Sequence, residues 1–240
     1  MTGRTLLAAL VVATLVAGPA RAADPVPAGA AGGTPAAAPE KVQTVALPKP
    51  DLDGKLSLEK VLSLRRSVRE YAPGALMLGE VAQLLWAAHG ITGPGGKRTT
   101  PSARAVYPLE VWLVANDVTG LAPGIYRYVP QDHALALVAA GDHRATVAAA
   151  AMGQKAVEAA PIVVAVAGDS VLAAEKFRGR AAAWLGMEAG FVVQDVYLEA
   201  TALGLGTVMV GGFQDAPVRV ALGLPAGRVP LALMPVGRRK

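Results

Sequence analysis

The 240-residue sequence predicts an α+β domain, on three observations. Side chains that are 53% hydrophobic and only 17% charged can bury one substantial core, which excludes disorder of the whole chain. From Leu52 onward, helical apolar spacings and short β-branched runs interleave within a single stretch of sequence. Turn signals at Pro123-Gly124 and Gln131-Asp132 separate consecutive runs closely enough to make hairpins.

Residues 1–22 read as a secretory signal: Arg4, an apolar run from Leu6 to Val16, the breakers Gly18 and Pro19, and Ala20-Arg21-Ala22 before a cut after Ala22. The run is about half of the ~20 residues a spanning helix needs, so no stable membrane span is expected once it is removed. No Arg-Arg pair precedes it and no cysteine follows it, so a Sec-type route to the periplasm or the exterior is the expectation. Residues 23–50 are rich in Ala, Pro and Gly without apolar periodicity and read as a flexible linker. The folded domain is expected over residues 51–240, with no internal repeat.

Within it, Ser57 to Arg66 reads as a helix capped by Ser57, and Leu78 to His89 as a helix ending at Gly90. Ile91 to Ser102 reads as a loop. Strands are expected at Val111 to Ala115, Ile125 to Val129 and Ala134 to Val138, then a helix at Arg144 to Met152. Pro161 to Ala167 is a continuous β-branched run, as in a strand buried on both faces. Arg180 to Leu203 is the longest helix candidate, and apolar residues such as Trp184, Met187, Phe191, Val192 and Leu198 surround nearly its whole circumference. Such a helix needs cover on more than one side, so its own sheet and a second subunit are expected, giving a homodimer. Thr207 to Gly212 and Pro230 to Val236 read as closing strands.

Composition excludes several chemistries. With no cysteine there is no disulfide, thiolate metal site, iron–sulfur cluster or cysteine nucleophile. The three histidines, His89, His133 and His143, stand apart, and no metal site is expected. Aromatics at 5% are too few for a base-stacking platform. Without Arg4 and Arg21 the formal charge of +5 falls to +3, too weak to indicate nucleic acid. Ser57-Leu58-Glu59-Lys60 fits an SxxK pattern, yet no SDN or KTG follows, so it reads as a helix cap. Gly93 to Arg98 lacks both the leading glycine and the Ser or Thr of a phosphate loop, and Gly204-Leu205-Gly206 reads as a helix stop.

Three stretches carry chemistry. Arg65-Arg66-Ser67-Val68-Arg69 offers three guanidinium groups and a hydroxyl, which suit a phosphate bidentately. Arg98 to Pro108 contains Pro101-Ser102-Ala103-Arg104-Ala105-Val106-Tyr107-Pro108, small enough residues for backbone to approach a ligand. Val210-Gly211-Gly212-Phe213 exposes unencumbered N–H donors after a strand.

In this order the three stretches resemble the FMN-dependent nitroreductase superfamily, particularly its SagB-type dehydrogenase branch. LAPGIYRYVPQDHAL, MEAGFVVQDVYLEATALGLGTVMVGGF and LALMPVGR are similar to further family segments, and together the resemblance spans roughly Ser57 to Gly237. It implies a nitroreductase-like fold, a mostly antiparallel central sheet with helices on both faces, in an intertwined homodimer with two flavin sites. It implies an FMN oxidoreductase moving hydride through flavin N5 to or from a small molecule. Arg65, Arg66, Ser67 and Arg69 are then expected to hold the phosphate and the polar edge of the ring, and Arg238 or Arg239 to add a phosphate contact. Pro101, Ser102 and Ala103 are expected to line the isoalloxazine from the other subunit, while Gly211 and Gly212 present N–H groups to N5.

Arg104 stands where the family segment has glycine, and with Tyr107 it is expected at the substrate pocket. Asp195 stands where many members have Asn after Gln194. Lys176-Phe177 aligns with a Lys-Tyr pair of azoline-oxidising members, which makes Lys176 a candidate catalytic residue but leaves the phenol missing. Export argues against a soluble NAD(P)H partner, since reduced nicotinamides are chiefly intracellular. The alternative reading, motivated by Arg104 and Phe177, is an exported flavin-binding protein without turnover.

Overall fold

The computed structural model describes residues 43–240. The expected signal (1–22) and the linker up to residue 42 lie outside the described residues. The strands are β1 (Thr44–Ala46), β2 (Tyr71–Ala72), β3 (Leu76–Met77), β4 (Ile91–Gly93), β5 (Lys97–Arg98), β6 (Leu109–Ala115), β7 (Val118–Thr119), β8 (Gly124–Val129), β9 (Ala134–Ala140), β10 (Ile162–Asp169), β11 (Leu205–Thr207) and β12 (Arg228–Arg239). The helices are α1 (Leu58–Leu64), α2 (Leu78–His89), α3 (Arg144–Ala150), α4 (Lys155–Ala159), α5 (Ser170–Phe177), α6 (Ala181–Ala202) and α7 (Asp215–Ala221).

The main sheet runs β1-β9-β8-β6-β10-β12-β11, with β2 also on β12, and every pairing in it is antiparallel. Alternation along its strands divides the core in two. Ile162, Val164 and Val166 of β10 pack with α2, α5 and α6, while Val163, Ala165 and Ala167 pack with α3, α4 and α7. Both faces of β10 are therefore apolar, which is why its sequence shows no polar alternation. Helices cover both faces, as the sequence implied.

Three expectations are corrected. Residues 43–50 were assigned to the linker, but Thr44–Ala46 pairs antiparallel with Ala134–Ala136, because an edge strand needs only three residues of backbone pairing and little apolar surface. The 91–102 loop contains the short β4–β5 ribbon, whose Gly95 and Gly96 turn at φ +74. The strand expected at 207–212 ends at Thr207, after which only Val210 bridges to Leu233.

Two close approaches dock the 65–72 segment on the sheet edge. A Cβ on Gly206 would lie 2.6 Å from Val68 Cγ1, and one on Gly237 would lie 2.7 Å from the Tyr71 ring. The missing side chains let Val68 donate to Thr207 O at 2.8 Å, while the Tyr71 hydroxyl reaches Val68 O and Pro235 O. Gly204, at φ +71, terminates α6 as its helix-stop reading required. No helix among the described residues is long and apolar enough to cross a membrane.

Candidate functional site

The Arg65–Arg69 segment leaves α1, whose Ser57 cap accepts from Lys60 N at 3.3 Å. Its residues divide. Ser67 and Arg69 line a cavity of about 520 Å3 with Val68, Glu70, Arg239 and Lys240. Arg65 lies over the Tyr197 ring, 5.0 Å from guanidinium carbon to centroid, a cation–π contact. Arg66 does not join them: its Nη1 donates to Ser63 O and Arg65 O, satisfying carbonyls at the end of α1. In this structure it therefore lies apart from the cavity of Ser67 and Arg69.

Arg238, too, is engaged elsewhere in this structure. Both its terminal nitrogens bind the Glu80 carboxylate, at 2.6 and 2.8 Å, and Nη2 also donates to Ala75 O. Successive residues of a strand point to opposite sides, so its neighbour Arg239 faces the cavity instead. Lys240 pairs with Glu70, whereas among the described residues Arg69 and Arg239 form no ion pair. The cavity therefore holds three cations against one carboxylate.

Tyr197 of α6 ties this cavity to the glycine pair. Its hydroxyl accepts from Met209 N at 2.8 Å and lies 3.2 Å from Ser67 Oγ. Gly211 and Gly212 follow two and three residues later, both exposed, and no acceptor among the described residues takes their N–H groups. A Cβ on Gly211 would meet Met209 Cε at 3.0 Å, while one on Gly212 would meet nothing closer than 3.9 Å.

The second cluster surrounds Pro101 to Tyr107. Glu188 of α6, 2% exposed, uses Oε1 to accept from Ala103 N at 2.8 Å and Ser102 Oγ at 3.1 Å. Burial raises its carboxyl pKa, and those two bonds oppose the rise. Ser102 Oγ also accepts from Tyr107 N at 2.8 Å. Arg104, Ala105 and Tyr107 have φ of 56, 52 and 51, a left-handed backbone costing ~1 kcal/mol or more per non-glycine residue. The glycine of the resembling family segment suits that conformation.

Arg104 Nη1 donates to Lys176 O at 3.1 Å, a carbonyl at the C-terminal end of α5, so its guanidinium folds back on the protein. The Tyr107 ring packs between Arg98, 5.0 Å from its centroid, and His89, 6.2 Å ring to ring. His89 is buried, bonded to Thr100 Oγ1, and held neutral by burial, with its pKa pushed down to about 3. Lys176, the catalytic candidate, pairs its Nζ with adjacent Glu175 at the surface, and Phe177 is buried against Trp184. The chain thus brings Lys176 beside Arg104 without aiming its ammonium at the Glu188 cluster.

Glu188 and Tyr197 are nine residues apart on α6, which separates them by roughly 13 Å along the axis and about half a turn around it. Between the two faces runs a stripe of Trp184, Met187, Phe191 and Leu198, with Met187 49% and Phe191 44% exposed. Sequence reasoning missed Glu188 and Tyr197; they sit among the apolar residues of α6 with other polar side chains such as Asp195 and Glu199, and nothing local sets them apart. Elsewhere, a cavity of about 770 Å3 lies among residues such as Lys49, Asp51, Met77, Gln83 and Glu199; Glu80, the partner of Arg238, lines it, but none of the expected site residues does.

The model of the nitroreductase family matches residues 62–238. The chain belongs to the nitroreductase family. A nitroreductase-type relative from Methanocaldococcus jannaschii is 41% identical over 196 residues, 82% of this chain and 98% of that protein. A nitroreductase-type crystal structure from Ralstonia eutropha superposes with a TM-score of 0.72 at 29% identity, covering 82% of this chain and 90% of its own. The NADPH:FMN oxidoreductase of Vibrio harveyi shares the fold alone, with a TM-score of 0.55 at 18% identity over 76% of this chain and 69% of its own. In this nitroreductase-family chain, the matched region contains Arg65 to Arg69, the Pro101–Tyr107 cluster and α6, while Arg239, Lys240 and the edge strand β1 fall just outside it.

Proposed function

We propose that this chain is an FMN-dependent oxidoreductase acting on a small molecule, with each flavin held between two copies of the chain. The observation that carries the reading is the cavity of Ser67, Arg69, Arg239 and Lys240, whose cationic excess is linked through Tyr197 to the strand end bearing the free Gly211 and Gly212 amides. Guanidinium, ammonium and hydroxyl donors are the set a phosphomonoester needs. Side-chain-free amides suit the polar edge of a flat ring that must come close. These residues fit FMN, and the V. harveyi protein of the same fold is an NADPH:FMN oxidoreductase.

Bound FMN supplies two-electron transfer at N5. The chain supplies the rest. Ser67, Arg69 and Arg239 fix the phosphate, Arg65 braces Tyr197, and the amides of Gly211 and Gly212 orient the ring's polar edge. Pro101, Ser102 and Ala103 of a second copy form the opposing wall. One chain carries the two clusters on opposite sides of α6, so a partner across the Trp184, Met187, Phe191 and Leu198 stripe supplies the missing half. The SagB-type resemblance supports a dehydrogenase direction, while Phe177 in place of a phenol argues against azole formation. Residues 1–22 place the enzyme outside the cytoplasm in this reading, where the electron partner is a small molecule or another redox carrier.

Titration of the apo-protein with FMN and with riboflavin tests the phosphate site. Charge-assisted contacts are worth ~1.5–3 kcal/mol each, so FMN binds at least roughly tenfold more tightly than riboflavin. Equal affinity for the two, or no binding of either, overturns the proposal.

A further inference from the structure

We infer that Glu188 is the positioning residue that holds the Pro101–Ala103 wall in its flavin-lining shape, an inference that rests on the FMN reading above. The backbone from Arg104 to Tyr107 contains three non-glycine residues in the left-handed region, and such a run persists only where its surroundings fix it. Beside its own backbone turn bonds, Ala105 N to Ser102 O and Val106 N to Ala103 O, the segment is fixed by few side-chain bonds. Glu188 Oε1 takes Ala103 N and Ser102 Oγ, Ser102 Oγ in turn takes Tyr107 N, and Arg104 reaches Lys176 O.

Three of those four bonds pass through one carboxylate oxygen or the hydroxyl it orients. Glu188 sits on α6, whose neighbouring turns Leu185, Ala189 and Val192 are buried in the core, so the acceptor is held by the rigid centre of the domain rather than by the loop. A carboxylate that is 2% exposed is unfavourable unless its hydrogen bonds repay desolvation, and both of its donors belong to the wall. Its removal frees the Ala103 amide and lets the left-handed segment relax away from the ligand. Glutamine keeps an oxygen at the same place and accepts both bonds.

The test compares wild type, Glu188→Gln, Glu188→Ala and Ser102→Ala in two measurements. Hydrogen exchange at the Ala103 amide of apo-protein is slow in wild type and in Glu188→Gln, and at least tenfold faster in Glu188→Ala. FMN titration gives Glu188→Gln an affinity within threefold of wild type, while Glu188→Ala loses tenfold or more and shifts the visible flavin band. Ser102→Ala, which leaves the helix untouched, moves both readouts in the same direction and serves if Glu188→Ala does not fold. The inference is overturned if wild type binds FMN and Glu188→Ala matches it in affinity and spectrum, or if Glu188→Gln is as impaired as Glu188→Ala. A wild type that binds no FMN overturns the flavin reading itself, a failure recognisable because it precedes any substitution.

Discussion

The hydroxyl of Tyr197 accepts a hydrogen bond from the backbone N–H of Met209 at 2.8 Å, joining the last turns of α6 to the segment after β11 that carries Gly211 and Gly212. The same oxygen is 3.2 Å from Ser67 Oγ, so one phenol connects the phosphate cavity to the glycine pair. Tyr197→Phe keeps the ring beneath Arg65 but leaves the Met209 amide without its acceptor. The expected loss is about 1–2 kcal/mol of stability, measured by denaturant titration, together with weaker FMN binding. Unchanged stability and affinity would show that the phenol bridges nothing of consequence.

Arg69 lines the cavity and makes no ion pair among the described residues, and in the FMN reading it serves the phosphate rather than the reacting ring. Arg69→Ala therefore weakens FMN binding by roughly ten- to a hundredfold, the equivalent of ~1.5–3 kcal/mol, while turnover at saturating FMN largely survives. A fluorescence titration beside steady-state rates separates the two effects. Loss of turnover at full FMN occupancy would assign Arg69 to the reacting end of the ring.

Arg104 separates strain from contact. Both Arg104→Gly and Arg104→Ala lose the bond to Lys176 O, but only glycine relieves a φ of 56. Arg104→Gly is therefore more stable than Arg104→Ala by about 1 kcal/mol in thermal or chemical unfolding. FMN affinity stays near wild type in the glycine variant, because the Glu188 and Ser102 bonds still hold the wall, while substrate range or rate changes as the guanidinium leaves the expected substrate face. If Arg104→Gly abolishes FMN binding, Arg104 is itself a phosphate ligand.

Asp195 provides a pH signature. Burial pushes its carboxyl pKa up to about 6 in the folded protein, in a cavity that it shares with Asp51 and Glu199. Through the window from the ordinary aspartate value, near 4, to about 6, the folded state keeps a proton that the unfolded chain has released. This group's contribution to stability therefore falls as pH rises through that window and stays unfavourable above it. Asp195→Asn raises the melting temperature at pH 7.5, and its advantage disappears by about pH 4. An equal or lower melting temperature at pH 7.5 would mean that the carboxylate is solvated or paired.

Much of this architecture was legible in the sequence because its signals are local. The Ser57 cap, the helix Leu78–His89 stopped by Gly90, and the unbroken apolar run of β10 need only neighbouring residues to be read. The edge strand Thr44–Ala46 was not legible, since its stability comes from pairing with Ala134–Ala136 rather than from its own composition. The site divides in the same way. Arg69 and Ser67 stand out in the sequence as part of a basic cluster, but which of Arg238 and Arg239 faces the cavity depends on strand register, and Glu80 of α2 takes Arg238. Glu188 and Tyr197 carry no motif of their own; their roles arise from which loop the fold lays against each side of α6.

Native mass spectrometry of the purified protein tests the central claim most directly, because it reads assembly and cofactor in one spectrum. In the proposed reading, two clusters on opposite sides of α6 and an apolar stripe between them call for two chains to complete two sites. The predicted species is a dimer carrying two FMN, one per subunit, with FMN identified by its mass after release. A bare monomer that takes up no FMN when the cofactor is added would contradict the account.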